Sequence, residues 1–326
     1  FIELNGRLNN TFSKITQKKE LTVAFLGGSI TYNPGWRDKL CQYFQETYPQ
    51  TQFRFIPAGI PSLGSLPHSF RLQTDVLDKG KIDLLFIEAA VNDHANNTKE
   101  EIQRKAMGGI IRHALSSNPS MDIVLMAFAD EDKINDYEKN KEPAEVKVHR
   151  QLAMHYNLPF INLSKEVYKR IQNGEFTWKD DFKDLHPSLF GQNVYYQTMK
   201  TMLQQCEENY NGENIVDAKL PAQKVGGVYN NGVYVDVHKA TKLKGFSVTE
   251  KWNPSDQKET REGFVDVPVL AADKAGSSFS FSFHGNAVGI VIVSGPDAGI
   301  IEYRIDSGKK AKLNLFTPWS NSLHLP

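Results

Sequence analysis

Residues 22–31 read TVAFLGGSIT, an apolar run that ends in Gly27, Gly28 and Ser29. The apolar part predicts a buried strand. Ligands of open α/β sheets bind outside the carboxyl ends of parallel strands, so a serine on a glycine turn there can present its hydroxyl group as a nucleophile. The same residues are also typical of an ordinary strand-to-helix loop with an N-capping serine. The rest of the chain has to decide between the two interpretations.

Three further segments favour the nucleophile. A second apolar run, residues 82–91, ends at Asn92, whose neutral amide can donate a hydrogen bond to an oxyanion. A short predicted strand opens the segment 53–65 and is followed by a loop of small residues that can aim a backbone N–H group inward. Asp184 and His186 lie two residues apart before a helical segment, and an aspartate that orients a histidine, which activates a serine, is the logic of acyl transfer.

Together these blocks resemble the SGNH (GDSL-like) hydrolase family of esterases and acetylesterases. The resemblance covers about residues 20–205 and is carried by Gly27 to Thr31, Gly59 to Gly64, Val91 to Asp93 and Asp184 to Pro187. It implies a flavodoxin-like, doubly wound parallel sheet in a three-layer α/β/α fold, and a serine esterase. The Gly-x-Ser-x-Gly elbow of the α/β-hydrolases does not occur around Ser29, which argues against that fold.

The resemblance also implies roles for individual residues. Ser29 is the expected nucleophile and His186 the expected general base, and histidine suits that role because its charge changes near neutral pH. The expected oxyanion donors are the backbone N–H groups of Ser29 and Ser62 and the amide of Asn92. The family's Asn-x-Gly-x-x-Gly pattern, started at Pro57, places its last glycine at Ser62. Gly64 is the competing assignment.

The spacing of the last block departs from the family. The family usually places two residues between the aspartate and the histidine, whereas only Leu185 separates Asp184 from His186. Asp184 is therefore expected to complete a triad only if it reaches the imidazole ring. Otherwise Asp181, Asp180 or a backbone carbonyl orients the histidine and leaves a Ser-His dyad.

The substrate follows from two weaker resemblances. The short spacing is similar to that of some carbohydrate esterases, and the C-terminal region resembles the jelly-roll modules attached to some of them. Both favour acetyl esters on a polysaccharide or oligosaccharide. A lipase or thioesterase acting on longer acyl chains is the alternative within the family. A catalytically inactive carbohydrate-binding protein is the alternative from another class, although the presence of both Ser29 and His186 argues against it.

Composition excludes several other classes. The 38 Lys and Arg residues balance the 38 Asp and Glu residues without a basic block, so nucleic-acid binding is not expected. No apolar run approaches the roughly 18 residues of a membrane span. Cys-x-x-Cys and His-Glu-x-x-His patterns do not occur, so neither a metal nor a cofactor is expected. The chain begins at Phe1 and shows no signal-peptide pattern. We therefore expect either that a leader has been removed, which indicates a secreted or periplasmic protein, or that the chain has been trimmed.

Up to Glu208 the pattern predicts a doubly wound catalytic domain, residues 1–208, because apolar strands alternate with helical segments. Continuous apolarity within the strands predicts a sheet that is covered on both faces. The strands are expected near residues 22–26, 53–57, 82–90, 122–128 and 159–163, and the helices at Trp36–Tyr48, Lys99–Ser116, Glu142–Tyr156 and Ser188–Glu208.

The pattern changes after Glu208. Residues 209–214 are a polar, turn-forming cluster and the expected linker. Beyond it, short strand-like runs predict a jelly-roll-like β-sandwich over residues 209–326, which ends at Pro326 without an evident closing strand. These runs are Gly263–Leu270, Ser277–His284, Ala287–Val293 and Gly299–Ile305.

Three further side chains have two interpretations each. Trp36 and Trp178 lie close in sequence to the catalytic blocks, so they either stack on a sugar ring or pack in the core. Arg71 either pairs with a substrate or with Asp75. The sequence carries no pattern that specifies the sugar, the acyl group or the oligomeric state.

Overall fold

The protein is described by a computed structural model that covers residues 1–222, 229–261 and 263–325. The chain divides into two compact units, Phe1–Tyr234 and Val235–Pro326. Within the described ranges, no helix is both long and apolar enough to cross a membrane.

The first unit alternates strands and helices. Its strands are β1 (Ile2–Leu4), β2 (Leu21–Gly27), β3 (Phe53–Gly59), β4 (Leu84–Glu88), β5 (Asp122–Ala127) and β6 (Pro159–Asn162). Its helices are α1 (Asn9–Thr16), α2 (Ser29–Tyr32), α3 (Trp36–Thr47), α4 (Ser65–Asp75), α5 (Ala90–Ala95), α6 (Glu100–Ser117), α7 (Glu131–Glu138), α8 (Ala144–Tyr156), α9 (Leu163–Gln172) and α10 (Leu189–Glu208). A 3₁₀ turn covers Leu77–Lys79 and a π-helical turn covers Trp178–Phe182.

The six strands form one sheet in the order β1-β6-β5-β4-β2-β3. β1 runs antiparallel to β6, and the other neighbours are parallel. Without β1, the order is that of flavodoxin-like folds, whose ligand crevice lies where the winding direction reverses. The reversal lies between β2 and β4. The predicted doubly wound α/β fold is therefore confirmed, and the segments that follow β2 and β4 flank the crevice.

Both faces of this sheet are buried, as the continuous apolarity of the strands predicts. In β2, Val23 and Phe25 point to one apolar cluster, while Ala24 and Leu26 point to the other. Helices α1, α3, α9 and α10 cover the first face, and α4, α6 and α8 cover the second. At the centre of the first cluster, the rings of Phe25 and Phe86 stack with their centroids 5.4 Å apart.

Sequence patterns located the five parallel strands and the helices α3, α6, α8 and α10. They missed β1, because a three-residue, half-buried edge strand carries almost no periodic signal. They also missed α4, which begins at Ser65 inside the segment that was interpreted as a loop of small residues.

The second unit is built from antiparallel strand pairs and constitutes a C-terminal β domain. Its strands are β7 (Thr241–Lys244), β8 (Ser247–Trp252), β9 (Val267–Ala271), β10 (Ser278–Ser280), β11 (Ile300–Tyr303) and β12 (Ala311–Asn314). β7 pairs with β10, β8 with β9 and β11 with β12. A β-sandwich or jelly roll in this part of the chain stays a prediction.

One strand prediction in this unit is wrong. Residues 287–293, which the structure describes, form no strand although they are apolar and rich in β-branched residues. A strand needs a hydrogen-bonded neighbour, and an apolar pattern alone does not supply one. The patterns also missed β7, β8 and β12, which are short and largely exposed.

The expected linker, residues 209–214, lies inside the first unit. The chain beyond it is fastened to that unit, because Asn10 exchanges two hydrogen bonds of 2.8 Å with the backbone of Val216. Farther along, the backbone N–H of Ala218 donates to the carbonyl of Pro119 at 2.7 Å. The boundary between the compact units therefore lies after Tyr234. The division into a catalytic domain of residues 1–208 and a β-sandwich of residues 209–326 stays a prediction.

The Phe25–Phe86 stack gives a prediction about stability. Phe86→Ala should lower the free energy of unfolding by about 3–5 kcal/mol, because it leaves a cavity in a fully buried cluster. Met154→Ala is the matched control, since Met154 in α8 is 56% exposed and should change this free energy by no more than about 0.5 kcal/mol. Urea unfolding measures both. Equal losses in the two variants would contradict the assignment of Phe86 to the centre of the core.

Candidate active site

Ser29 and His186 lie in hydrogen-bond contact although 157 positions separate them in the chain. Ser29 is the first residue of α2, directly after the turn that ends β2, and is 9% exposed. The Nε2 atom of His186 lies 2.8 Å from Ser29 Oγ. The structure thus brings the predicted nucleophile and the predicted base together at the carboxyl edge of the parallel sheet.

Two hydrogen bonds of Ser188 join the two ends of the short segment that carries His186. The backbone N–H of Ser188 donates to the carbonyl of Phe182 at 2.9 Å, and the Ser188 hydroxyl donates to the carbonyl of Asp181 at 2.5 Å. Phe182 is buried, and the ring of Trp178 stacks on it with centroids 4.9 Å apart. The half-buried Trp178 thus packs against Phe182 at the start of the histidine segment, while stacking of Trp178 on a sugar ring stays a prediction.

Asp184 does not form a hydrogen bond with the ring of His186. Its Oδ1 atom lies 3.9 Å from His186 Nδ1 and instead accepts from the backbone N–H of His186 at 2.5 Å. Asp181 and Asp180 accept hydrogen bonds from Thr177. Across the described residues, Asp184 is the one carboxylate within 4 Å of Nδ1. The assignment of Asp184 as third catalytic residue stays a prediction.

Asn92 lies beside the serine turn. It is in α5, whose start is fixed by Glu88 at the end of β4, because Glu88 Oε1 accepts from the backbone N–H of Val91 at 3.1 Å. The amide oxygen of Asn92 faces Gly28, where an added methyl group would collide with it. The glycine before Ser29 therefore allows Asn92 to approach the nucleophile turn closely.

Ser62 adopts a backbone conformation that favours glycine. Its φ is +68°, in the left-handed region, whereas φ of Gly64 is −99°. The carbonyl of Ser62 accepts a hydrogen bond of 2.9 Å from the side chain of Asn96. This geometry agrees with the register that places the family's glycine at Ser62. Gly64 has a different constraint, because a methyl group there would meet the carboxylate of Asp93.

Asp93 joins the Asn92 helix to the start of α4. Its Oδ1 atom accepts from both the backbone N–H and the hydroxyl of Ser65, each at 2.9 Å. The pKa of Asp93 is raised to about 6, because burial raises it by more than the two hydrogen bonds from Ser65 lower it. No local sequence pattern indicates this role of Asp93, because its partner lies 28 residues away.

The two remaining candidates are buried. Trp36 is fully buried between Phe25 and Phe128, and its indole N–H donates to the carbonyl of Ile30 at 3.0 Å. Trp36 is thus a core residue. Arg71 is fully buried as well and pairs with Asp75, with Nη1 2.6 Å from Oδ2. In the described ranges, no three His, Cys, Asp or Glu side chains are placed to hold a metal ion.

Comparison with protein families gives a match for more than half of the chain. The model of the GDSL-like lipase/acylhydrolase family matches residues 25–194, which include Ser29, Ser62, Asn92 and His186. The chain belongs to this family. As a GDSL-like family member it is an acylhydrolase, and the resemblance that the four sequence blocks indicated is confirmed.

Solved structures match the whole chain in fold. A two-domain esterase (CEX) active on acetylated mannans has a TM-score of 0.75 and 20% identity, over 99% of this chain and 88% of that one. The same kind of esterase co-crystallised with mannopentaose has a TM-score of 0.69. A variant of Axe2, an acetyl xylan esterase from Geobacillus stearothermophilus, has a TM-score of 0.44 and 17% identity, over 57% of this chain and 96% of that one. No curated protein matches the sequence.

The raised pKa of Asp93 predicts a pH dependence of stability. The folded state holds the proton more tightly than the unfolded chain, so the associated stability is present below pH ~4 and is lost as the pH rises through about 6. Its full size is about 3 kcal/mol, since one pKa unit corresponds to about 1.4 kcal/mol. Glu88 and Asp122, whose pKa values burial raises to about 7, change stability in the same direction.

Asp93→Asn removes the titrating group and leaves an oxygen that accepts from Ser65. The free energy of unfolding of this variant, measured in urea at pH 4, 5, 6 and 7, should fall less steeply with pH than that of the parent. Asp132→Asn is the matched control, because it makes the same change at a carboxylate whose side chain is 72% exposed. Parallel pH profiles for the Asp93 variant and the parent would contradict the prediction.

Proposed function

We propose that this acylhydrolase is a serine esterase that removes acetyl groups from a polysaccharide or oligosaccharide. The observation that carries the proposal is the 2.8 Å contact between Ser29 Oγ and His186 Nε2 at the carboxyl edge of β2. A hydroxyl group in contact with an imidazole is the arrangement that nucleophilic catalysis requires.

In the acylation step, His186 Nε2 takes the proton of Ser29 as Oγ attacks the ester carbonyl. Three donors hold the resulting oxyanion: the N–H groups of Ser29 and Ser62 and the side-chain amide of Asn92. Ser29 is suited to this role because it opens a helix, where backbone N–H groups have no intrahelical acceptor. The protonated His186 then gives its proton to the sugar oxygen as the C–O bond breaks, which leaves acetyl-Ser29 and a free sugar hydroxyl group.

In the deacylation step, a water molecule replaces the sugar. His186 takes a proton from this water, whose oxygen attacks the acyl carbon, and the same three donors hold the second oxyanion. Collapse of this intermediate breaks the bond to Ser29 Oγ, and His186 returns the proton to the serine. The products are acetate and free enzyme, so no cofactor is needed.

Asp184 contributes weakly in this proposal. A distance of 3.9 Å from His186 Nδ1 is too long for a hydrogen bond, and both side chains are about half exposed or more, so water screens their attraction. The hydrogen bond from the His186 backbone to Asp184 instead fixes the turn that carries the imidazole.

The substrate class rests on the fold and the family. A likeness that extends over 99% of the chain to an esterase active on acetylated mannans supports an acetylated glycan as substrate. The β domain, within the proposed C-terminal sandwich of residues 209–326, would then bind the polymer, and the catalytic domain of residues 1–208 would hydrolyse its esters. Such polymers occur outside the cytoplasm, which supports a secreted or periplasmic location.

Two substitutions test the dyad. His186→Ala should lower kcat by roughly 10⁴-fold or more, because it removes the base of both steps. Asp184→Asn should lower kcat by less than about 100-fold, against the ~10⁴-fold loss that follows replacement of a tightly held triad aspartate. Steady-state hydrolysis of p-nitrophenyl acetate measures both. If the two variants lose activity equally, Asp184 completes a triad and the dyad is wrong.

A series of p-nitrophenyl esters from acetate to octanoate tests the acyl group. Each methylene group buried in a long acyl pocket would add about 0.8 kcal/mol of binding, so kcat/KM that rises along the series would favour a lipase or thioesterase. We expect kcat/KM to be highest for acetate, and acetate to be released from acetylated mannan or xylan. A folded protein that hydrolyses none of these substrates would favour the inactive carbohydrate-binding protein.

A further inference from the structure

We infer that Arg71 is a positioning residue for the oxyanion hole, because its guanidinium ties together the ends of the two strands from which Ser29 and Ser62 leave. The inference rests on the proposed esterase function and deepens it. Arg71 lies in α4, away from the reacting atoms, so its effect would pass through the backbone.

The contacts of Arg71 use all three guanidinium nitrogens. Nη2 donates to the carbonyl of Gly27 at 3.3 Å and to the carbonyl of Ala58. Nη1 donates to Asp75 at 2.6 Å, and Nε donates to His68 Nδ1 at 3.2 Å. The side chain is fully buried, so no water competes for these donors.

The two carbonyl groups lie at the carboxyl ends of neighbouring strands, one residue apart in register. Gly27 is the last residue of β2, and Ala58 is the residue before the last of β3. The Gly27 carbonyl also accepts from the backbone N–H of Ile60 at 2.9 Å, at the start of the Ser62 loop. The Gly27 carbonyl, two residues before Ser29, therefore accepts hydrogen bonds both from Arg71 and from the loop that carries Ser62.

Only a guanidinium fits this set of acceptors. Its planar fork presents five donors in fixed directions, whereas the ammonium group of lysine is a compact charge that cannot span the acceptors on β2, β3 and α4. Asp75 supplies the counter-charge that makes burial of the cation tolerable. The Arg71–Asp75 pair thus holds one guanidinium group in hydrogen-bond contact with the ends of both β2 and β3.

Loss of this donor would leave the Gly27 carbonyl with its hydrogen bond from Ile60 but without the one from Arg71, and would loosen the peptide between Gly27 and Gly28. The N–H of Ser29 is one peptide bond farther on, and that of Ser62 is four residues after Ala58. Displacing a catalytic group by about 1 Å costs on the order of 100-fold in rate. Substrate binding would be nearly unchanged, because an oxyanion donor acts on charge that develops in the transition state.

Arg71→Lys and Arg71→Met test the inference with p-nitrophenyl acetate as substrate. Both variants should lower kcat by about 100-fold with KM within about threefold of the parent. The inhibition constant of trifluoroacetone, which forms a tetrahedral adduct with an activated serine, should weaken by the same factor as kcat. Circular dichroism and Tm establish the folded fraction, to which every rate is normalised.

Two controls separate positioning from general stabilisation. Lys14→Met removes the partly buried Lys14–Asp83 ion pair at the opposite, amino-terminal end of the strands, so it should lower Tm and leave kcat unchanged. Asp75→Asn breaks the ion pair of Arg71 but leaves the Nη2 contacts, so kcat should stay within about tenfold of the parent. This variant also keeps the test decisive if the Arg71 variants do not fold.

The outcomes distinguish this inference from the proposed function. An active parent whose folded Arg71 variants keep the parental kcat would overturn the inference alone. An Asp75→Asn variant with parental Tm and a loss of about 100-fold in kcat would overturn it too, because the ion pair rather than the carbonyl contacts would then be responsible. A parent without esterase activity would overturn the proposed function and, with it, this inference.

Discussion

The parallel alignment of β2 with β3 and β4 is the constraint on which the candidate site depends. Gly27 at the end of β2 pairs in register with Gly59 at the end of β3, while Leu26 pairs with Ile87 of β4. The turns that leave these strands therefore begin at one edge of the sheet. Because the winding direction reverses between β2 and β4, helices do not fill the crevice there, and the three turns can converge on a substrate.

Buried polar side chains hold those turns in place. Asp93 links the helix of Asn92 to the start of α4 through hydrogen bonds with Ser65. Arg71, which lies within α4, donates hydrogen bonds to the ends of β2 and β3. Both act on backbone groups: Asp93 accepts from an N–H group at the start of α4, and Arg71 donates to carbonyl groups at the ends of β2 and β3. A buried charge is costly unless it is hydrogen-bonded, and these two residues have partners on separate elements. The rigidity of the candidate oxyanion hole thus depends on α4.

The sequence sufficed for the parallel strands and for the pair Ser29 and His186, because each is encoded within about ten residues of chain. Continuous apolarity marked β2, and the short Asp184–His186 spacing anticipated a carboxylate that is too distant for a hydrogen bond with the ring. It did not suffice for the contacts of Arg71 with the carbonyl groups of β2 and β3, or for the hydrogen bonds of Asp93, because these partners lie on other elements. The strand prediction for residues 287–293 was wrong for a related reason. Whether a segment pairs as a strand depends on neighbouring segments, which a local pattern does not contain.

Covalent labelling is the most direct test of Ser29 as the nucleophile of this acylhydrolase. The folded protein is treated with a fluorophosphonate, digested and mapped by mass spectrometry, beside a Ser29→Ala variant and a Ser116→Ala control, in which an exposed serine near the end of α6 is replaced. If Ser29 is the nucleophile, one phosphonylated peptide, with the label on Ser29, is expected in the parent and in the Ser116 control, and none in Ser29→Ala. Labelling that persists in folded Ser29→Ala, or that maps to another serine in the parent, would contradict it.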